Sequence, residues 1–348
     1  MLDDVNVIKQ HDPSGALSVA AMQYNQANFK ADVQNKDHDG RQITNVVVAG
    51  MGGSALAALL VKSWLKTELN VPFEIIRSYH LPAYVGPNTL VIVSSYSGNT
   101  EEPLSCLEQA KSSKSQIAII ASDGQLTNQA DANHYANVKL STGLQPRMAV
   151  IYNLCALVSL LINFNVVPSS KLDEISNVSD WLKGEAAKWS GEITSDGNYA
   201  KQLALAAIGK TAIFYGGELT APVAYKWKIS WNENAKNVAF WNEIPEYNHN
   251  EFIGWTSHPV EKPFVVFDII SNFENQRILK RFEITDRLLS GLRPKSITVN
   301  LLGDTSIAQL LWGSILADFV SIYVAVLNGV NPTPVQLINK LKQELAQN

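Results

Sequence analysis

Ser95, Ser97, Asn99 and Thr100 place four hydrogen-bonding side chains in six positions around Gly98, directly ahead of Glu101-Glu102-Pro103. An acidic, proline-bearing triplet favours the first turn of a helix. The apolar, β-branched run 90–93 before the serines reads as a strand. Hydroxyls beside a glycine, where a helix presents its unpaired N–H groups, can surround a phosphate with neutral donors, and no lysine is required. An ordinary N-cap competes for the same residues, but a cap needs only one hydroxyl. A second candidate stretch, Gly50-Met51-Gly52-Gly53-Ser54, follows the apolar run 43–49 and precedes a helical pattern over 55–65. Strand, glycine turn and helix in that order open many phosphate and nucleotide folds. Ala55 stands where the dinucleotide fingerprint needs its third glycine, and no acidic residue closes the next strand, 73–77. A dehydrogenase is therefore the weaker reading.

Acid and base groups gather in the second half. Asn232-Glu233-Asn234-Ala235-Lys236 and Glu243-Ile244-Pro245-Glu246-Tyr247-Asn248-His249-Asn250-Glu251 place carboxylates and a histidine in tryptophan-rich, low-charge surroundings. Such groups are candidates for proton transfer with shifted pKa values; a polar loop with capping roles is the plain alternative. Arg147 follows Pro146 at the head of the apolar pattern 148–164, as an anion clamp or as a surface charge. The six histidines are scattered, with no ligand spacing, so no metal is expected. Cys106 and Cys155 each sit in an apolar helical pattern and read as buried free thiols of a reducing cytoplasm.

The elements that must carry these residues alternate. Strands are expected at 43–49, 73–77, 90–93, 116–121 and 137–140, with helices between them, which predicts a parallel sheet covered on both faces. Ligands of such sheets lie beyond the carboxyl ends of the strands, where both candidate phosphate stretches fall. The second half repeats the outline: 211–215 with Gly216-Gly217, then 263–270, then 296–302 with Gly303-Asp304, then the apolar helix 307–327. Internal duplication of one α/β unit is the inference. Ser271-Asn272-Phe273-Glu274-Asn275 replaces the serine loop there, so phosphate binding is not expected of the second copy. The expected division is a first domain over 1–165 with a helical lead-in, a helical linker over 166–204 and a second domain over 205–348.

With 348 residues, 46% of them hydrophobic, the chain can build two full cores. A net charge of −4 argues against a nucleic-acid backbone partner. The apolar runs 148–167 and 310–330 contain Asn153, Asn163, Asn165, Asp318 and Asn328, so buried helices are expected and no membrane span. The opening Met1-Leu2-Asp3-Asp4-Val5 has neither the basic nor the apolar block of a signal peptide, so a cytoplasmic protein is expected.

Taken in order along the chain, Gly50 to Ser54, Ser95 to Glu102, Pro146-Arg147, Asn232 to Lys236, Pro245 to Glu251 and Pro332-Thr333-Pro334-Val335 resemble the bifunctional phosphoglucose/phosphomannose isomerases of the sugar-isomerase (SIS) superfamily. The resemblance implies two SIS-type parallel-sheet α/β sandwich domains, a homodimer, and cofactor-free interconversion of glucose 6-phosphate or mannose 6-phosphate with fructose 6-phosphate through a cis-enediol. It further implies that Gly52, Gly53, Ser54, Ser95, Ser97 and Thr100 hold the phosphate. Glu233 would shuttle the proton between C1 and C2, and Arg147 would steady the enediolate. His249, donated across the dimer interface, and Lys340 would open the sugar ring. Lys342 on the same terminal helix is the alternative to Lys340. Thr333 would leave room for either C2 epimer. A non-catalytic phosphosugar sensor is the rival of another class, but the first forty or so residues lack a basic recognition helix. A glucosamine-phosphate synthase would need a leading cysteine that Met1-Leu2 does not supply.

Overall fold

A computed structural model describes residues 1–259 and 261–345. They form two compact units, one of residues 22–183 and 301–312, the other of residues 1–21, 184–300 and 313–348. The expected linker is thus divided after residue 183, and the first 21 residues belong with the second sheet.

In the first unit the strands β1 (Asn45–Gly50), β2 (Phe73–Ile76), β3 (Thr89–Ser94), β4 (Gln116–Ala121) and β5 (Ala136–Lys139) form a parallel sheet in the order β2-β1-β3-β4-β5. Every residue of β3 is buried, as a central strand covered on both faces requires. Val91, Val93, Ile117 and Ile119 form a core with Leu107 and Leu126 of the covering helices. In the second unit β6 (Thr211–Gly216), β7 (Ala239–Glu243), β8 (Phe264–Ile270) and β9 (Ile297–Asn300) run parallel in the order β7-β6-β8-β9. This is the order β2-β1-β3-β4 again, and duplication of one α/β unit accounts for it.

The order places the ligand crevice. After β1 the chain crosses to one side of the sheet and after β3 to the other, so a crevice opens past the ends of these neighbours. Gly50 and Ser94 are register partners there. The helices Gly52–Trp64 and Glu101–Ser112 both start at this crevice. The first includes Gly52 and Gly53 and so begins earlier than the sequence pattern over 55–65 indicates.

Two elements of the second unit differ from expectation. β7 is an additional strand, and Glu233 is the last residue of a 13-residue helix, Ala221–Glu233, rather than part of a polar turn. That helix is laid on β6 and β8 by a buried aromatic cluster in which Phe214 meets Trp227, Trp231 and Phe267 at ring distances of 5.5, 5.3 and 5.4 Å. Trp227 Nε1 donates to the Gly313 carbonyl at 3.0 Å. The helix Ser306–Leu327 is long and apolar enough to cross a membrane, yet 94% of its most apolar stretch is buried inside the protein.

Candidate active site

Close backbone approach shapes the crevice of the first unit. A Cβ on Gly53 would lie 2.5 Å from the Pro146 carbonyl oxygen, so glycine lets the Pro146–Met148 turn, which carries Arg147, reach the start of the 52–64 helix. Arg147 is 1% exposed and its Nη1 donates to Gln145 Oε1 at 3.3 Å, so the surface-charge account of it does not hold. Ser54 is buried in the first turn of the same helix.

The serine loop is fastened at several points. Ser95 N donates to the Ile120 carbonyl at 3.0 Å, and Gly98, at φ +70°, packs its α-carbon against the Asp123 carbonyl where any side chain would collide. Asn99 Oδ1 accepts from Gln125 N at 3.0 Å. Ser95 Oγ lies 2.7 Å from Thr100 Oγ1 and 3.5 Å from Ser97 Oγ. Thr100 occupies the N-cap of the 101–112 helix with extended dihedrals, but its side chain makes no capping hydrogen bond. Ordinary capping therefore does not account for these hydroxyls. Glu101 and Glu102 occupy the first turn, as the sequence predicts.

In the second unit the turn after Glu233 is tied to the segment carrying Thr333. Lys236, at φ +57°, donates from Nζ to the Glu233 carbonyl and, at 3.0 Å, to the Pro332 carbonyl. Thr333 N donates to Asn331 Oδ1 at 2.9 Å. His249 ends the short turn Glu246–His249 and is exposed, while its neighbours are fixed. Tyr247 is fully buried against Tyr215 at 4.4 Å between rings, and Asn248 Nδ2 donates to Thr285 Oγ1 at 2.9 Å. Glu251 accepts from the Tyr215 hydroxyl and from Asn242 Nδ2. Lys340 is exposed on the helix Gln336–Leu345. The structure thus draws Ser95, Ser97 and Thr100 together, sets Gly53 against the Arg147 turn, and links the Glu233 and Thr333 segments through Lys236. His249 and Lys340 stand on separate elements.

The Asn232–Lys236 motif contains Lys236 without indicating the two carbonyls it binds, and one further contact was not legible in spacing alone. Past β6, where the first unit has its glycine turn, the N–H groups of Leu219 and Thr220 donate to Glu274 Oε1 at 2.8 and 3.0 Å. A carboxylate of the chain thus sits on the start of the 221–233 helix, in the place corresponding to the crevice of the first unit. Burial pushes the Glu274 carboxyl up, against the pull of those backbone donors. Gly217 is the legible signal, since a Cβ there would run into the Glu274 carboxylate. Among the described residues no group of three or more His, Cys, Asp or Glu could hold a metal ion.

Residues 41–164 match the SIS domain family, and residues 196–345 match the bacterial phospho-glucose isomerase C-terminal SIS domain. A bifunctional phosphoglucose/phosphomannose isomerase of Caldicellulosiruptor bescii is 33% identical over 92% of this chain and 93% of its own length. The chain belongs to the bifunctional phosphoglucose/phosphomannose isomerase family. Another member, from Aquifex aeolicus, is 32% identical over 86% of this chain and 90% of its own length. A glucose-6-phosphate isomerase like protein from Thermus thermophilus superposes with a TM-score of 0.65 over 98% of both chains at 15% identity, a likeness of fold.

Proposed function

We propose that the protein is a cofactor-free isomerase interconverting glucose 6-phosphate and mannose 6-phosphate with fructose 6-phosphate. The observation that carries the reading is the serine loop, whose hydroxyls turn on one another at a helix start they do not cap. Ser54, Ser95, Ser97 and Thr100 hold the phosphate with the N–H groups of Gly52 and Gly53. On the open-chain aldose the Glu233 carboxylate takes the C2 proton, and the electron pair forms the C1–C2 double bond as charge passes to O1. Arg147 offsets that charge, and its guanidinium cannot lose its own. Return of the proton to C1, with the O2 proton passing to O1, leaves the ketose. Thr333 leaves room for either C2 epimer to reach Glu233.

Ring opening falls to His249 and Lys340, with His249 supplied by the partner of a homodimer. Support comes from apolar surface on the same stretches: Ile253, which follows His249 in the chain, is 69% exposed, and the helix of Lys340 exposes Leu337, Leu341 and Leu345 at 82%, 59% and 50%. Exposed apolar clusters of this kind mark association sites. Buried free thiols at Cys106 and Cys155 support a cytoplasmic location.

A coupled assay of fructose 6-phosphate formation from each aldose phosphate tests the reading. Turnover of both substrates without added cofactor or metal is expected. Binding of either sugar phosphate without turnover would instead make the protein a phosphosugar sensor.

A further inference from the structure

Glu233 ends a helix whose inner side is held by a charged cluster. Lys226, Ser230 and Asn234 recur at four-residue spacing and so form one stripe along the 221–233 helix and its C-cap. That stripe meets Asp318 and Ser321 of the helix Ser306–Leu327, in the same compact unit. Lys226 Nζ donates to both Asp318 carboxylate oxygens, at 2.7 and 2.8 Å, and Ser230 Oγ donates to Oδ1 at 2.7 Å. Asn234 Nδ2 donates to Ser321 Oγ at 2.9 Å and reaches Asp318 Oδ1 at 3.5 Å. Ser321 Oγ in turn donates to the Asp318 carbonyl at 3.1 Å. All five residues are 0% exposed.

A buried ion pair is a poor source of stability, because desolvation offsets most of its attraction and apolar residues of similar volume do as well or better. What it supplies is direction. An apolar stripe tolerates a small rotation or slide of one helix on another, whereas a carboxylate bonded at three successive turns does not. Rotation of the 221–233 helix would swing Glu233, which immediately precedes Asn234. Lys236 holds the same turn from its exposed side.

We propose that Asp318 is a positioning residue for Glu233, acting through Lys226, Ser230 and Asn234 to fix the azimuth of the last helical turn. The inference rests on Glu233 as the proton-transferring base. A base displaced by about 1 Å loses on the order of a hundredfold in rate.

Two variants test it. Asn234→Ala removes one anchor and leaves the ion pair intact; Lys226→Met with Asp318→Leu replaces the pair by apolar volume. Both should lower kcat for both aldose phosphates on the order of ten- to a hundredfold, with KM within about twofold of the parent. The double variant should keep or raise Tm while losing kcat. Amide hydrogen exchange should quicken over residues 231–236 in either variant. A folded variant with parental kcat and parental exchange over 231–236 would overturn the proposal, and Asn234→Ala decides alone if the double variant does not fold. Should the parent itself turn over neither substrate, the isomerase reading fails and the positioning role fails with it; a parent that turns over both, with kcat unmoved in a folded variant, overturns the positioning alone.

Discussion

Four neutral side chains and two helix starts are the proposed means of holding a dianion without a fixed lysine. The 2.7 Å contact between Ser95 and Thr100 is a hydroxyl pair able to reorient toward an anion, because either oxygen can donate. Replacing both Ser97 and Thr100 by alanine should raise KM for the sugar phosphates steeply, since each bond to a charged group is worth about 1.5–3 kcal/mol. Steady-state kinetics on glucose 6-phosphate measures this, and an unchanged KM would reduce the loop to a turn. Thr333 N donates to Asn331 Oδ1 next to Pro332, whose carbonyl accepts from Lys236 of the Glu233 turn, so the steric role proposed for Thr333 is tested on the segment tied to the proposed base. Thr333→Gln should depress turnover of mannose 6-phosphate more than that of glucose 6-phosphate; equal losses would indicate a packing defect.

At the scale of elements, buried carboxyls of the second unit make stability depend on pH. Burial pushes the Asp268 carboxyl, on β8, from 3.8 up to about 6. A raised carboxyl contributes stability that is complete below its unfolded value near 3.8 and is lost as pH rises through about 6. The loss is on the order of 3 kcal/mol. Asp268→Asn should therefore unfold at a higher temperature than the parent at pH 7–8, and that advantage should shrink toward pH 4; a difference independent of pH would show that Asp268 does not titrate in this window. The buried strands were legible in the sequence because β1, β3, β4, β6 and β8 are near-continuous apolar, β-branched runs of strand length, the pattern of strands covered on both faces. β7 escaped because it is an edge strand, Ala-Phe-Trp-Asn-Glu, with Phe240 54% exposed and its last residues polar. The 221–233 helix escaped because Trp227, Trp231, Lys226 and Ser230 are all buried, leaving no polar face from which a helical period could be read. Glu233 at its end consequently resembled part of a polar turn.

On the scale of the whole molecule, two sheets share the strand order β2-β1-β3-β4 and differ at the helix starts past them. The first keeps open helix starts past β1 and β3, while the second closes the corresponding start with Glu274 and carries Glu233 at the other end of the same helix. The duplication was legible from the recurrence of strand, glycine turn and apolar helix. The closure was not, because a side chain from the loop after β8 supplies it and spacing along the chain does not reveal such a contact. If His249 serves the partner's site, mixing His249→Ala chains with Glu233→Gln chains should regenerate one intact site per mixed dimer. Refolding the two together should recover about a quarter of parental activity; no recovery would place His249 in its own chain's site.

Isomerisation as proposed depends on Glu233 to carry the proton. Glu233→Gln preserves size and hydrogen bonding but cannot accept it, and the phosphate contacts proposed for the first unit are untouched. The direct measurement is exchange of the C2 proton of glucose 6-phosphate with deuterated solvent, followed by NMR, with the variant's fold verified by its spectrum. Exchange should fall by at least the roughly hundredfold typical of a lost general base while sugar phosphate still binds. Exchange at the parental rate in the folded variant would contradict that role for Glu233 and pass it to Glu243 or Glu246.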